Sequence, residues 1–329
     1  MKILHILRNN KFGGTQVLAS TLSKDGELIN HYFFLDISDS NNYLNDQNLN
    51  FSSESLSNLI KTGNYSLIIS YVGFSILRSI NPSITTPHFI SCGSKLDFKL
   101  TYYAYSFYSI FFKNLKILAT SKTVFSSIKK YRFKNISVVP NPVRDDFFEQ
   151  KFEFRSEINS FAMVGRMDIG DKARNWSLFC ELSEKYSNYK FYAIGDGNLR
   201  PELEAKFNKI TFTGNLNVQK LLDQLKKSDI YLQLNNETEG FGISLYEAMS
   251  LGCIPIAPDI PVNNEIILNK YNGFLYSENK IHETINYLLK ISKKNLKTLS
   301  MRAAKSIVPY KSDNYIQKIK KLYNEDFNN

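Results

Sequence analysis

The segment that most constrains the fold spans residues 230–257, where an apolar run, a glycine-containing loop, a helical pattern and a second apolar run follow one another. The two apolar runs, 230–234 and 253–257, are typical of short strands buried in a parallel sheet. Gly240 and Gly242 stand at the start of the helical pattern, where open backbone N–H groups and the helix dipole favour an anion. The segment therefore predicts an α/β fold with an anion site between two strands.

Two acids frame this predicted site. Glu239 comes just before the helix and Glu247 about two turns into it, which separates them by roughly 11 Å along the helix axis at 1.5 Å per residue. One acid is then placed for one end of an extended ligand and the other for the far end, with phosphates at the helix N-terminus between them. The alternative is a solvated amphipathic helix that happens to carry two surface acids.

The N-terminus repeats the pattern of strand, glycine loop and helix. The apolar run 3–7 leads into Gly13-Gly14, and Val17, Leu18 and Leu22 follow at helical spacing. This is how a doubly wound sheet begins. Taken alone, the glycine pair is equally the signature of a tight turn.

Further apolar runs predict more strands on both sides of a hinge placed at 143–156. They lie at 32–37, 67–72, 88–92, 117–119, 136–139, 161–164 and 189–194. The strand at 161–164 runs into Gly165-Arg166, and Lys172 follows six residues later. Two cations just beyond the carboxyl end of a strand lie where open α/β sheets bind ligands.

Length and composition indicate the number of domains, the charge of the partners and the cellular compartment. A chain of 329 residues is expected to form two domains, and its formal net charge of +10 favours anionic partners. The three scattered cysteines suit a reducing compartment and argue against a disulfide scaffold or a zinc site. With no signal peptide and no membrane-spanning run, we expect a cytoplasmic protein or one attached to the inner face of the cell membrane.

An aromatic-rich segment adds to this expectation. Residues 97–112 are rich in Tyr and Phe, and residues 113–134 supply seven Lys or Arg side chains. An aromatic helix beside a basic segment suits an anionic membrane surface. A core helix with a solvated basic neighbour explains the same pattern.

The sequence EGFGISLYEAMSLG at 239–252 resembles the Glu-x7-Glu signature of retaining glycosyltransferase family 4. The resemblance covers the second half well and the first half only through Gly13-Gly14 and the strand order. It implies a GT-B fold, in which two Rossmann-like, doubly wound parallel-sheet domains face a central cleft. The implied parts are an acceptor domain at 1–147, a nucleotide-sugar domain at 148–310, and a helix at 311–329 that crosses back to the first domain.

The resemblance also implies roles for individual residues. Glu239, Arg166 and Lys172 are the implied catalytic residues, with Glu239 facing the donor sugar and the two cations facing its diphosphate. Glu247 is implied to accept hydrogen bonds from the ribose hydroxyls. The implied donor-binding residues are Gly13, Gly14, Arg166, Lys172, Gly240, Phe241, Gly242, Ile243 and Glu247.

The implied activity is that of a hexosyltransferase (EC 2.4). It moves a sugar from a nucleotide-diphosphate donor to a glycan or lipid-linked acceptor, as in bacterial surface polysaccharide or lipopolysaccharide synthesis. No cofactor and no metal are expected, because two side-chain cations can replace a divalent ion at the diphosphate. Nucleic acid is not an expected partner. One departure is that many members carry a histidine where Cys92 stands, and His88 lies earlier in that strand, where packing explains it.

Two other functions remain open at this point. A sugar-nucleotide epimerase shares the GT-B architecture but uses a different active-site set. A catalytically inactive protein that binds nucleic acid or another anion would use the net charge alone, although the basic residues form no recognisable nucleic-acid motif.

Overall fold

The computed structural model describes residues 1–8, 14–35, 56–81, 83, 85–93, 100–168, 173–234, 241–277 and 279–327. The chain divides into two compact units. The first comprises Met1–Arg144 together with Ser312–Asn329, and the second comprises Asp145–Lys311.

The first unit is built on a parallel sheet. Its described strands are β1 (Lys2–Leu7), β2 (Ile29–Phe34), β3 (Leu67–Ser70), β4 (His88–Cys92), β5 (Leu115–Ala119) and β6 (Ile136–Val138). They lie in the order β2-β1-β3-β4-β5-β6, and each neighbouring pair is parallel. The order reverses between β1 and β3, which makes the loops after these two strands the topological switch point of the sheet.

Helices of the first unit alternate with these strands. They are α1 (Gly14–Thr21), α2 (Leu56–Thr62), α3 (Leu100–Ser109), α4 (Lys122–Lys129) and, from the end of the chain, α12 (Ser312–Phe327). Ser121 begins α4 as its N-cap, because its Oγ accepts a 3.1 Å hydrogen bond from the N–H of Val124. The same helix buries Val124 and Ile128 in the core.

A buried polar chain fastens α12 to the first sheet. Asn30 Oδ1 can only accept, so His5 Nε2 carries the hydrogen of that 2.8 Å bond and His5 Nδ1 accepts from the Tyr71 hydroxyl at 3.1 Å. Tyr71 is in turn hydrogen-bonded to Tyr315 of α12. At the surface of the same helix, Lys320 pairs with Asp25 at 2.5 Å.

The second unit repeats the architecture. Its described strands are β7 (Ser160–Val164), β8 (Lys190–Ile194), β9 (Ile210–Gly214), β10 (Ile230–Leu232), β11 (Ile254–Pro258) and β12 (Phe274–Tyr276). They lie in the order β12-β11-β10-β7-β8-β9, again with parallel neighbours. Counted from β7, this is the order 3-2-1-4-5-6 of dinucleotide-binding folds, and its switch point lies between β7 and β10.

The helices of the second unit cover this sheet. They are α5 (Ala173–Lys185), α6 (Arg200–Lys206), α7 (Val218–Lys226), α8 (Ile243–Ser250), α9 (Pro261–Asn264), α10 (Ile281–Leu288) and α11 (Lys293–Ile307). Aromatic packing joins α5 to the strands, since Phe179 lies edge-on to Phe191, which itself stacks on Phe161 with 4.9 Å between ring centroids. Asn217 begins α7 by accepting a 2.9 Å hydrogen bond from the N–H of Lys220.

The predicted class of fold is confirmed: each unit is a parallel sheet with flanking helices. Three strands differ from the sequence-based expectation. β2 begins at Ile29, three residues early, because β1 pairs with it from Lys2 opposite Ile29 onward. β9 was not expected as a strand, and neither was β12, whose three residues carry no usable hydrophobic period.

Candidate functional site

A cavity of about 200 Å³ opens at the switch point of the second sheet. It is formed by the carboxyl ends of β7 and β10 and by the first turns of α5 and α8. Its lining residues are Met163, Val164, Gly165, Arg166, Asn175, Trp176, Leu232, Gln233, Leu234, Gly242, Ile243 and Ser244. Ligands bind open α/β sheets at this position, because the strand order reverses there and leaves a crevice between the loops.

The loop after β7 is held from two sides. Trp176 is buried and donates its indole N–H to the backbone oxygen of Arg166 at 2.9 Å. On the other side, Gly195 has φ +132° and lies so close that a Cβ there would come within 2.0 Å of the Gly165 oxygen. The glycine after β8 is therefore a steric requirement of the site's wall.

Arg166 carries the positive charge at the rim of the cavity. Its side chain is 78% exposed, and its Nε lies 3.3 Å from a carboxylate oxygen of Asp168. A surface ion pair of this kind is weak, so the guanidinium can exchange Asp168 for an anionic ligand at small cost.

The N-terminus of α8 forms the opposite wall. Gly242 is its N-cap with φ +70° and ψ +56°, a left-handed conformation that favours glycine. Helix geometry leaves the N–H groups of Ile243 and Ser244 without a partner inside the helix. These two residues line the cavity, so the positive end of the helix dipole faces the same space as Arg166.

Ser244 adds a hydroxyl to this wall. Its Oγ accepts a 2.7 Å hydrogen bond from the hydroxyl of Tyr231, a residue of β10 that is buried completely. The cavity thus combines a guanidinium, helix N–H groups and an oriented hydroxyl. Such a set can bind an oxyanion and stabilise charge that grows on it.

Two other predicted residues of this motif lie deeper. Glu247 is in the second turn of α8 and is 5% exposed, and it does not belong to the lining of the cavity. The ring of Phe241 is buried and stacks on Tyr246 with 4.2 Å between centroids. Tyr246 in turn meets Tyr310 edge-on, with 4.8 Å between ring centroids. These rings fix the start of α8 against the short 3-10 helix Val308–Tyr310.

The structure therefore brings together Arg166, Gly242 and Ile243 of the predicted site. Gly14 begins α1 in the first unit, after the carboxyl end of β1. The predictions for Gly13, Lys172, Glu239 and Gly240 concern positions outside the described residues.

Three polar residues of the cavity were missed by the sequence reasoning: Asn175, Gln233 and Ser244. Gln233 follows β10 directly, so the rule that ligands lie at the carboxyl ends of strands could have found it. Ser244 lies inside the recognised motif, where attention to the first helical turn would have identified it. Asn175 gave no signal, because only the fold brings the first turn of α5 to this place.

In the first unit, His88 has the environment of a packed residue. It is buried in β4, its Nε2 lies 2.7 Å from Ser70 Oγ, and burial lowers the pKa of its imidazole to about 3. Cys92, at the end of the same strand, is buried and takes part in no disulfide. His88 is therefore neutral at physiological pH.

Two features are absent from the described residues. No three His, Cys, Asp or Glu side chains in that part of the chain are arranged to hold a metal ion. Among the described helices, none is both long and apolar enough to cross a bilayer.

Comparison with protein families gives the second unit a match. Residues 145–306 match the model of the family described as "Glycosyl transferases group 1". An Escherichia coli protein named UDP-Gal:alpha-D-GlcNAc-diphosphoundecaprenol alpha-1,3-galactosyltransferase is 29% identical over 217 residues, 57% of this chain and 54% of that protein. The chain thus matches only about half the length of this curated relative.

Solved structures resemble the whole chain. The Anabaena protein HepE, in complex with UDP and glucose, superposes with a TM-score of 0.76 at 13% identity and covers 99% of this chain and 100% of its own. The lipopolysaccharide outer core galactosyltransferase WaaB in its apo form gives a TM-score of 0.66 at 19% identity, covering 98% and 99%. Likeness at such low identity concerns the fold, which is GT-B.

Proposed function

Because residues 145–306 match the family model of group 1 glycosyl transferases, we propose that the protein is a retaining family 4 enzyme. It transfers a hexose from a nucleotide-diphosphate sugar to a hydroxyl of a glycan or lipid-linked acceptor. The observation that carries this proposal is the cavity between β7 and β10, where Arg166 and the N-terminus of α8 face one space. That arrangement suits a diphosphate.

The proposed donor is a uridine diphosphate hexose. Support comes from the relatives, since the E. coli protein is named for UDP-galactose and HepE was solved with UDP and glucose. The same E. coli name includes a diphosphoundecaprenol-linked sugar as acceptor, which supports a lipid-linked acceptor here.

The proposed chemistry follows from the charges of the site. The bond between the anomeric carbon and the diphosphate oxygen breaks while the acceptor oxygen bonds to the same face of that carbon, and the acceptor proton passes to the departing phosphate. Negative charge grows on the diphosphate, where Arg166, the N–H groups of Ile243 and Ser244, and the predicted Lys172 stabilise it. Glu239 is assigned to the donor sugar and Glu247 to the ribose.

We also propose that no metal takes part. A divalent ion would neutralise the leaving diphosphate, and here a guanidinium, a predicted ammonium group and a helix N-terminus offer positive charge for the same purpose. Gly13, Gly14, Gly240, Phe241 and Gly242 are the remaining residues assigned to donor binding.

The proposed setting is the inner face of a bacterial cell membrane, in surface polysaccharide or lipopolysaccharide synthesis. The names of the galactosyltransferase relative and of WaaB support this pathway. The enzyme would be a cytoplasmic protein held peripherally at that surface.

A donor screen tests the proposal. Purified protein is incubated with UDP-galactose, UDP-glucose and other nucleotide sugars, and free nucleotide diphosphate is measured alongside the released sugar. We expect slow hydrolysis of one donor, with the α-anomer of the sugar appearing first by NMR. Release of the β-anomer first would contradict retention, a new nucleotide sugar with no release would identify an epimerase, and no reaction with any donor would refute the activity.

A further inference from the structure

We infer that the face formed by α3 and the end of α4 is a docking surface for an anionic lipid bilayer. The inference deepens the proposed function, because it gives an enzyme with a lipid-linked acceptor a defined way to reach the membrane. It rests on three observations. α3 carries an exposed apolar stripe, residues 98–144 carry an excess of basic side chains, and a ring contact places the stripe beside exposed cations.

The stripe consists of Tyr103, Phe107, Ile110 and Phe111. Their exposed fractions are 42%, 67%, 61% and 56%, which is unusual for large apolar side chains. The turn after α3 continues its path, with N–H bonds of 3.2 Å from Ile110 to Phe107 and from Phe111 to Tyr108. The four residues stand at i, i+4, i+7 and i+8, so they share one side of the helix.

The opposite side of α3 packs against the hydrophobic core of the first unit. Ser106 is buried there, Tyr102, Tyr105 and Tyr108 pack against the hydrophobic core of the unit, and Phe112 is buried just beyond the helix. Because this second face already anchors the helix, the stripe is not needed to hold α3 in the fold. An apolar face left in water in this way indicates contact with something else.

Positive charge is concentrated in the same part of the chain. Residues 98–144 contain nine Lys and Arg and no Asp or Glu, whereas the rest of the chain has 32 basic and 31 acidic residues. This segment therefore supplies nine of the ten net charges of the protein. Its exposed cations within the described residues are Lys113, Lys122, Lys129, Lys130, Arg132 and Lys134.

The stripe and the cations form one surface. The ring of Tyr131 lies 4.9 Å from that of Tyr103, and its chain neighbours Lys130 and Arg132 are exposed. At the other end of the stripe, the exposed Lys113 follows Phe111 by two residues. The apolar residues are thus flanked by cations at both ends.

This combination favours a bilayer over other anionic partners. Exposed Phe and Ile side chains gain from entering the acyl region, while Lys and Arg are attracted to anionic headgroups in the same plane. A soluble polyanion would use the cations and leave the stripe in water. A second copy of this chain would bring like charges together around the stripe.

The first experiment measures the charge dependence. Full-length protein is mixed with phosphatidylcholine vesicles, with or without phosphatidylglycerol, and the bound fraction is determined by flotation. We expect binding to the anionic vesicles only. At about fivefold per cation, the triple variant K129Q/K130Q/K134Q should lose on the order of 100-fold in affinity.

The matched control is the triple variant K290Q/K294Q/K297Q, which removes three exposed lysines from the second unit. It should bind the anionic vesicles within about threefold of wild type, because a local surface is affected only by its own charges. Equal losses in the two variants would overturn the docking surface and leave only a net-charge effect.

The second experiment tests the stripe. We expect F107S/F111S to lose about tenfold or more in vesicle affinity, whereas the control L268S/Y287S changes two exposed apolar residues of the second unit without effect. Vesicle binding of F107S/F111S equal to wild type would overturn the inference in favour of a soluble polyanion. A wild-type dimer that F107S/F111S turns into a monomer would overturn it in favour of self-association.

Donor hydrolysis without vesicles separates this inference from the proposed function. All variants should hydrolyse the donor at the wild-type rate, because the substitutions lie outside the cavity. Vesicle binding without hydrolysis of any nucleotide sugar would leave the surface standing and refute the activity. Hydrolysis without vesicle binding would support the activity and overturn the docking surface.

Discussion

The hydroxyl of Tyr231 donates a 2.7 Å hydrogen bond to the Oγ of Ser244 across the space between β10 and the first turn of α8. Since the Oγ of Ser244 accepts this bond, its own hydrogen is directed elsewhere, and Ser244 lines the cavity. A buried strand residue therefore orients a hydroxyl at the point where the helix dipole also favours an anion.

We expect Ser244→Ala to weaken nucleotide diphosphate binding and transfer by roughly 10- to 100-fold, the range for losing one hydrogen bond to a charged group. Because the bond reaches an oxygen that gains charge during the reaction, kcat should fall more than KM rises. Steady-state kinetics with the best donor from the screen measure both. Unchanged kcat/KM would show that the hydroxyl does not reach the donor.

Tyr231→Phe tests the role of orientation. This substitution keeps the buried ring and removes the bond to Ser244, so we expect about a fivefold loss of kcat/KM. The effect should disappear in the Ser244→Ala background, since there is no longer a hydroxyl to orient. Fully additive losses would mean that Tyr231 acts by another route.

Arg166→Ala should reduce turnover by about 10²-fold or more, through loss of charge stabilisation at the diphosphate. The same loss is expected for Lys172→Ala. The matched control is Lys209→Ala, which removes a half-exposed lysine paired with Glu184 on the same unit. Near-normal transfer by both Arg166→Ala and Lys172→Ala would place the reaction elsewhere.

Activity should survive chelation. If side-chain cations and the α8 N-terminus neutralise the diphosphate, excess EDTA leaves the initial rate of donor hydrolysis unchanged within error. Complete loss of the rate, restored by magnesium or manganese, would refute the metal-independent account.

The stability of the first unit should depend on two buried histidines. Burial lowers the pKa of His5 to about 4 and that of His88 to about 3, whereas both titrate near 6.5 in an unfolded chain. Below pH 6.5 the unfolded state binds protons that the folded state does not. Stability is therefore present above pH 6.5 and is lost as the pH falls, at up to ~1.4 kcal/mol per pH unit for each histidine.

Urea unfolding at pH 7, 6 and 5 measures this slope. We expect His88→Gln to reduce the slope of the unfolding free energy against pH by up to ~1.4 kcal/mol per pH unit, the contribution of one proton. His282→Gln, at a partly exposed position, should change this slope less. An identical slope in wild type and His88→Gln would contradict the assignment of His88 as a buried neutral group.

The sequence predicted the site where a motif lies on one continuous segment. Gly242 follows from the glycine loop and helix pattern, Arg166 follows from its place after a strand, and Ile243 follows from the family resemblance of the motif. Asn175 and Gln233 could not be predicted in the same way. They meet only because the start of α5 and the end of β10, more than 50 residues apart, lie at one switch point.

The aromatic segment shows a second limit. Tyr and Phe occupy every face of α3, so no hydrophobic period distinguishes a core helix from a surface helix. The structure gives both: Tyr105 and Tyr108 pack inward, whereas Phe107 and Phe111 are exposed. Packing against residues distant in sequence, such as that of Tyr102 on Phe74 and Tyr131, decides which side is buried.

The division of labour between the two acids is the most specific consequence of the proposed donor orientation. Glu247 lies buried in the second turn of α8, beyond the N–H groups proposed to bind the phosphates. Glu239 precedes that helix in the sequence. If the phosphates occupy the helix N-terminus, each acid reaches only one end of the donor: Glu247 the ribose and Glu239 the sugar.

Calorimetry with the diphosphate product, beside transfer assays, tests this orientation. Glu247→Ala should lose about 10- to 100-fold in affinity for UDP, because two ribose hydroxyls lose a charged acceptor. Glu239→Ala should bind UDP almost as wild type does while transfer collapses. Thermal unfolding of both variants, with exposed Glu283→Ala as the control, separates lost contacts from lost folding. UDP lacks the transferred hexose, so Glu239 should not contact it. A Glu239→Ala variant that loses UDP affinity as badly as Glu247→Ala would therefore mean that the donor binds in the opposite orientation.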